Sequence, residues 1–272
     1  MTGEDSTVAH PEFTIVTPSL NQGPFIEQTI RSVLDQRDVS VQYIVVDGSS
    51  SDETVDVLAR YEDRVATIIR EPDEGQADAL VKGFALAKGE FVGYLNSDDY
   101  LLPGALAHAR DLLRADGTLD LVYGDRIYVD GSGRLLRYWR LPAHSNYMML
   151  RWDFIPQEAA FWRRGSMEQV GGIDGSYRFA MDYDLFARMM KARQRMKHVP
   201  RFFAVFREHA ASKTSAQLSE VGIPEMERVR EKYAVVVRPW DHLLGAIFLL
   251  LLRLRSLLHL KLASAPVSPE GK

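Results

Sequence analysis

Apolar residues in the first part of the chain switch between short continuous runs and a helical spacing. FTIVT (Phe13 to Thr17) and VQYIVVD (Val41 to Asp47) are compact and β-branched, which predicts buried strands. Between them Ile26, Ile30, Val33 and Leu34 recur at helical spacing, with Pro24 suited to a first helical turn. GSSSDETVDVLARY predicts a second helix, opened by a capping box of Ser50 and Glu53 and carrying Val55, Leu58 and Ala59 on its apolar side. VATIIRE is a third strand, Gly75 to Lys88 a helix closed by Gly89, and EFVGYLN a fourth strand. The resulting βαβαβαβ order predicts an α/β fold: a doubly wound, mainly parallel sheet flanked by helices, binding ligands at the carboxyl ends of its strands.

Further on, the pattern predicts a helix from Pro103 to Ala115, a strand in LDLVYGD and a hairpin in RIYVDGSGRLLRYWR that turns at Asp130 to Gly133. MDYDLFARMMKARQ is helical with Leu185, Met189 and Met190 inward, and MKHVPRFFAVFREH reads as a strand pair. A polar helix follows around Ser215 to Tyr233, and then DHLLGAIFLLLLRLRSLLHLKL, whose continuous apolar run (Leu243 to Leu252) is too short for a bilayer span. Arg253, Arg255, His259 and Lys261 do not share one helical face, and an interfacial helix with snorkelling basic residues fits best; the competing reading packs it on the domain or a second subunit. The expected divisions are a flexible leader (1–11), a catalytic domain (12–215), a helical linker (216–238), the apolar and basic C-terminal helix (239–262) and a disordered tail (263–272).

Composition narrows the functional classes. With 272 residues and 46% hydrophobic positions, the chain can bury a sizeable core, and its net charge of −4 makes no case for a nucleic-acid binder. It has no cysteine, so disulfides and thiolate metal sites are excluded. The polar, acidic N-terminus does not read as a secretory signal, and the expected location is cytoplasmic, peripheral on the cytoplasmic face of a membrane.

Chemistry concentrates at the strand ends. They run into TPSLNQ, DGSSSDET, EPDEGQAD and NSDD, four polar clusters on the edge where an open α/β sheet takes its ligand. Neither a G-x-G-x-x-G after the first strand nor a G-x-x-x-x-G-K-[ST] is present, which argues against a dinucleotide oxidoreductase and a P-loop NTPase. Asp47 before Gly48 is either a turn former or a hydrogen-bond acceptor for a nucleobase or ribose. Adjacent Asp98 and Asp99 repel each other, and helix capping accounts for one of them only; a Mg²⁺ or Mn²⁺ ion shared with substrate phosphates would relieve the pair. Asp182 reads equally well as a helix N-cap.

TIVTPSLNQGPFIEQTIRSVLDQ, YIVVDGSSSDET, DEGQADALVKGFALAKGEFVGYLNSDDYLLPGAL and MDYDLFARM together resemble glycosyltransferase family 2, inverting nucleotide-sugar transferases of the GT-A fold, from about Phe13 to Lys213. The resemblance implies a nucleotide-sugar pocket at Thr17, Pro18, Ser19 and Asn21, at Asp47, at Asp73, Gly75, Gln76 and Asp78, and at Asn96, Ser97 and Asp98. It implies Asp99 as the metal ligand, aided by His209, and Asp182 as the catalytic base, with Met181 where a Glu commonly sits. Gln157, Glu158, Asp184 and Lys213 are implied to face the sugar, the acceptor or the departing diphosphate, Asp184 being also the alternative base. Arg151-Trp152 lacks the Gln of the Gln-x-x-Arg-Trp motif of processive synthases, since Met148 stands there, so transfer of a single sugar is expected.

The expected reaction moves one sugar from a nucleoside-diphosphate donor, a UDP-sugar, to a hydroxyl of a saccharide or lipid-linked acceptor of the cell envelope, with Mg²⁺ or Mn²⁺ as cofactor. A sugar nucleotidyltransferase would carry a G-x-G-T-R-like start, which TPSLNQGPF is not. A non-catalytic nucleotide-sugar-binding module would have no need to keep both SDD and MDYD.

Overall fold

A computed structural model describes residues 10–210 and 212–263, so most of the expected leader and nearly all of the expected tail lie outside the described residues. Nine strands form one sheet: β1 (Phe13–Ser19), β2 (Val41–Asp47), β3 (Thr67–Arg70), β4 (Phe91–Tyr94), β5 (Tyr100–Leu101), β6 (Leu121–Asp130), β7 (Leu135–Trp139), β8 (Ala160–Arg163) and β9 (Met196–Glu208). Their spatial order is β3-β2-β1-β4-β8-β6-β9-β5, with β7 paired to β6 as a hairpin.

The first half is the parallel sheet that the local pattern predicts. β1 lies between β2 and β4, parallel to both, and every one of its residues is buried. Side chains alternate between two cores, as the pleat requires. Phe13, Ile15, Tyr43 and Val45 pack on one face against the helices Gly23–Leu34 and Ala105–Ala115. Val16, Ile44, Val46 and Val92 pack on the other against the helices Gln76–Ala85 and Met181–Lys191.

Local readings shift in four places. The helix expected to end at Gly89 ends at Ala85. Gly89 instead lets β1 pass: a Cβ there would lie 2.4 Å from the Thr14 amide nitrogen and 2.5 Å from the Phe13 carbonyl carbon. Ser50 and Glu53 do not form a capping box, because Ser50 is bonded to Asp47 and Glu53 itself precedes the helix Thr54–Arg60 without a side-chain cap. The expected strand pair near the C-terminal side is the single 13-residue β9, parallel to β6 with register shifts around Asp125. The expected linker packs on the domain: Glu225, on the helix Ile223–Lys232, accepts from the backbone amides of Arg178, Phe179 and Ala180.

Register carries the carboxyl ends of β1, β2 and β4 to one edge. Ser19 lies opposite Asp47, and Leu95 donates its amide to Val16, which brings the Asn96–Asp99 turn beside the loop after β1.

Candidate active site

The turn after β4 is held from below by a residue that the sequence reading missed. Arg207, on β9 and 4% exposed, donates its backbone N–H to Asp99 Oδ1 (2.9 Å), its Nε to the Asp98 carbonyl (3.0 Å) and Nη2 to Gln28 Oε1 (2.6 Å). Thr29 Oγ1 completes the frame by donating to the carbonyls of Ser97 (2.9 Å) and Asp99 (2.6 Å). The two adjacent carboxylates are thereby pointed apart.

Asp98 lines a cavity of about 450 Å³, with Pro18, Ser19, Asp73, Gly75, Gln76, Asn96, Ser97 and Lys213 among its walls. Its Oδ2 lies 3.0 Å from His209 Nε2, and the His209 ring rests on Phe25 with centroids 4.7 Å apart. Asp99, expected to hold the cation, is fully buried and does not line the cavity. Burial, aided by the negative charges of Asp98 and Glu158, pushes its carboxyl well above the ordinary range, and its Oδ2 has no partner. The geometry thus sets Asp98, and not Asp99, on the cavity wall.

The N-terminus of the helix Gln76–Ala85 closes another wall. Gly75 reaches it with φ +118°, a conformation that a side chain would disfavour. Gln76 donates its amide to Asn96 Oδ1 (2.5 Å) and accepts from Lys213 Nζ. Burial lowers Lys213 to about 8, a change that Asp182 and Glu225 partly offset. The Ser19 hydroxyl is buried in the wall and has no partner among the described residues. Open helix N–H groups, a cation and a cavity of this size suit an anionic, phosphate-bearing ligand.

Asp182 is the second residue of its helix, after the N-cap Ala180, so the capping role does not apply. Burial raises its carboxyl to about 6, against the lowering effect of the Tyr183 N–H that donates to it at 2.9 Å. Lys213 also favours its charged form, and Glu158 opposes it. Beside it Asp153, also missed, is raised well above the usual carboxylate range by burial and by Asp182, and its Oδ1 is buried without a partner. Glu158 is 1% exposed and paired with Arg126 Nη1 at 3.1 Å, and the buried Gln157 has an unpartnered Oε1. Arg126 and Asp153 could have been noticed as charged residues set among the apolar residues of β6 and of RWDFIP, though Asp125 and Arg151 beside them dilute the signal.

Other expected residues lie elsewhere. Asp184 is turned into a buried ion network with Arg188 Nε (2.8 Å), Lys232 Nζ (2.9 Å) and the Tyr233 hydroxyl (3.0 Å), and does not line the cavity. Asp78 is paired with Lys82 in its own helix, and that bond lowers its carboxyl. Thr17 accepts from the Tyr43 hydroxyl inside the fold (3.0 Å). Asp47 is fully buried, bonded to Ser50 Oγ (2.5 Å) and Arg70 Nε (3.4 Å), and Asn21 receives Ser51 N–H while its own amide donates to Ser50. Thr17, Asn21, Asp47 and Asp78 do not line the cavity itself.

No group of three or more metal-ligating side chains occurs among the described residues. The carboxylate of Asp98 on the cavity wall, with the His209 imidazole bonded to it, still offers donors that fit a hard divalent cation sharing substrate phosphates.

A family model described as Glycosyl transferase family 2 matches residues 14–207. The PGL/p-HBAD biosynthesis glycosyltransferase of Mycobacterium bovis (strain BCG / Pasteur 1173P2) is 29% identical over 185 residues, covering 66% of this chain and 70% of that protein. The O-antigen biosynthesis protein RfbC of Myxococcus xanthus is 28% identical over 213 residues, 75% of this chain but 16% of RfbC. Among solved structures, mannosyltransferase PcManGT from Pyrobaculum calidifontis, in complex with GDP-Man and Mn2+, superposes with a TM-score of 0.63 at 21% identity, covering 85% of this chain and 66% of that one. S. aureus TarS 1-349 in complex with UDP-GlcNAc gives a TM-score of 0.62 at 17% identity over 75% of this chain, which spans 61% of that fragment. These two likenesses carry the fold.

Proposed function

We propose a reaction from one premise: this chain belongs to glycosyltransferase family 2 and is a glycosyltransferase. It transfers a single sugar from a nucleoside-diphosphate donor, a UDP-sugar, to an acceptor hydroxyl, with inversion at the anomeric carbon. The observation that carries this reading is the cavity lined by Asp98 and by the Gln76–Lys213 pair, with His209 hydrogen-bonded to Asp98.

Asp98 and His209 would hold Mg²⁺ or Mn²⁺, which supplies charge compensation for a departing diphosphate. Lys213 and the N–H groups opening the helix Gln76–Ala85 bind the same diphosphate. Asp182 accepts the acceptor's proton, and a base raised to about 6 is ionised at neutral pH while keeping enough basicity to work. The acceptor is a saccharide or lipid-linked intermediate; relatives named for PGL/p-HBAD and O-antigen biosynthesis support that class.

The test is UDP-sugar turnover with Mn²⁺, with UDP binding followed by calorimetry. Asp98→Asn is expected to abolish the Mn²⁺ dependence of both, whereas Asp99→Asn keeps it. The same loss for Asp99→Asn alone would return the metal to Asp99. Failure to bind any nucleoside diphosphate would remove the donor assignment.

A further inference from the structure

The C-terminal helix, Pro239–Ala263, is inside out. It rests on the domain along one narrow seam made of Asp241, Gly245, Phe248, Leu252, Ser256 and His259. Four of these six are polar or lack a side chain, the reverse of a helix docked on a soluble core. The seam is nonetheless specific. Asp241 is paired with Arg151 Nε (3.0 Å) and with the Tyr147 hydroxyl, Trp152 covers Gly245, and Phe154 meets Phe248 with centroids 5.2 Å apart. Ser256 Oγ accepts from the Tyr138 amide (3.2 Å), and His259 stacks on Tyr138 with centroids 4.5 Å apart.

The leucines point outward. Leu243 and Leu258 are 63% and 61% exposed, and Ile247, Leu250, Leu251 and Leu254 are exposed beside them. At about 100° per residue, the arc from Ala246 to Leu244 covers about 160° of the circumference and, over residues 241–259, contains only apolar residues; Lys261 falls by position on the same arc near the helix end. His242 and Arg253 border it on one side and Arg255 on the other, while exposed Leu249 lies between His242 and the seam. Arg253 and Arg255, which seemed scattered along the sequence, therefore border opposite edges of one apolar face, while His259 lies in the seam. The helix has a single carboxylate, Asp241, and it is buried and paired.

Beside the Arg255 edge, a cavity of about 330 Å³ is lined by Arg140, Leu141, Pro200, Arg255, Leu258 and His259. Three basic side chains face it. Arg140 lies 3.3 Å from His259 Nδ1 and 3.4 Å from the buried Asp125, and Arg255 donates to the Leu141 carbonyl (2.7 Å).

We propose that this helix seats the enzyme flat on an anionic lipid bilayer, with the leucine arc among the acyl chains and a lipid phosphate in the Arg140–Arg255–His259 cavity. Charge decides the occupant: basic residues on both borders of an apolar arc match an anionic interface. A second copy would bring the same arginines against each other, and a helix–helix seam would leave much of so wide an arc uncovered. By length and composition residues 239–259 also reach the threshold of a bilayer span, beyond what the sequence reading allowed; docking of both ends on the domain holds the helix parallel to its surface instead. This inference goes beyond the proposed reaction and does not depend on it.

The full chain is to be sedimented with phosphatidylcholine vesicles, with and without phosphatidylglycerol. Binding is expected to the phosphatidylglycerol vesicles, weakening about 5-fold for each of Arg253→Gln and Arg255→Gln. Leu243→Glu with Leu254→Glu should abolish it while leaving UDP affinity and melting temperature unchanged, since both side chains are exposed. Unaltered binding of that double variant overturns the leucine arc, and equal binding to both vesicle types overturns the preference for an anionic bilayer. A doubled mass by light scattering, reversed by the double variant and without vesicle binding, assigns the face to a second copy.

Discussion

Asp182 works in an environment that resists its charge. Its carboxyl is raised by burial to about 6, so UDP-sugar turnover should fall as pH drops through 6 and hold above it. The measurement is a kcat profile from acid to neutral pH; an acid limb near the ordinary carboxylate value would contradict this. Asp182→Asn should reduce kcat by about 10²–10⁴. The sign for stability is opposite. A folded-state pKa above the unfolded one means stability is full below the unfolded value and is lost as pH rises through about 6. Asp182→Asn is therefore expected to stabilise the fold at pH 7 by about 1–3 kcal/mol in urea melts. The MDYD motif made Asp182 legible in the sequence. Asp98 and Asp99 could not be sorted there, because adjacent residues point oppositely only once Arg207, far along the chain, grips the turn from β9.

At the scale of elements, two contacts have measurable weight. Asp184 ties the helix Met181–Lys191 to the helix Ile223–Lys232 through Arg188 and Lys232. Asp184→Asn is expected to cost about 3 kcal/mol, as loss of one partner of a buried ion pair does, with UDP affinity unchanged. Lost UDP affinity at full stability would place Asp184 in the chemistry after all. Gly89→Ala should cost about 1–3 kcal/mol, because its Cβ would strike β1, and it should lower the denaturation midpoint without changing the slope. The early strands and helices were readable because each βα unit is local and its hydrophobic period is unambiguous. Gly89 was misread as a helix stop for the same reason: a local pattern records that glycine is needed, while the neighbour that needs it comes from a distant strand.

For the whole molecule, the same division holds. The parallel half of the sheet follows from sequential units, whereas β8 enters antiparallel between β4 and β6 from far along the chain, a pairing no local period encodes. The C-terminal helix shows the other limit. Its composition was plain, but which residues face inward depends on Trp152, Phe154 and Tyr138 of the domain. Those contacts also have a mechanical side. Leu150 receives the Tyr183 hydroxyl (2.7 Å), Trp152 and Phe154 carry the helix, and between them stands Asp153, whose carboxyl is raised by burial and by the charge of Asp182. One short stretch of chain is thus both the cradle of the helix and the neighbour of Asp182, the proposed base. On the proposed mechanism, a load on the helix would reach the reaction centre through a lever only a few residues long. Turnover of a fully water-soluble acceptor is therefore expected to change when vesicles are added, and a rate indifferent to them would mean that the lever is slack.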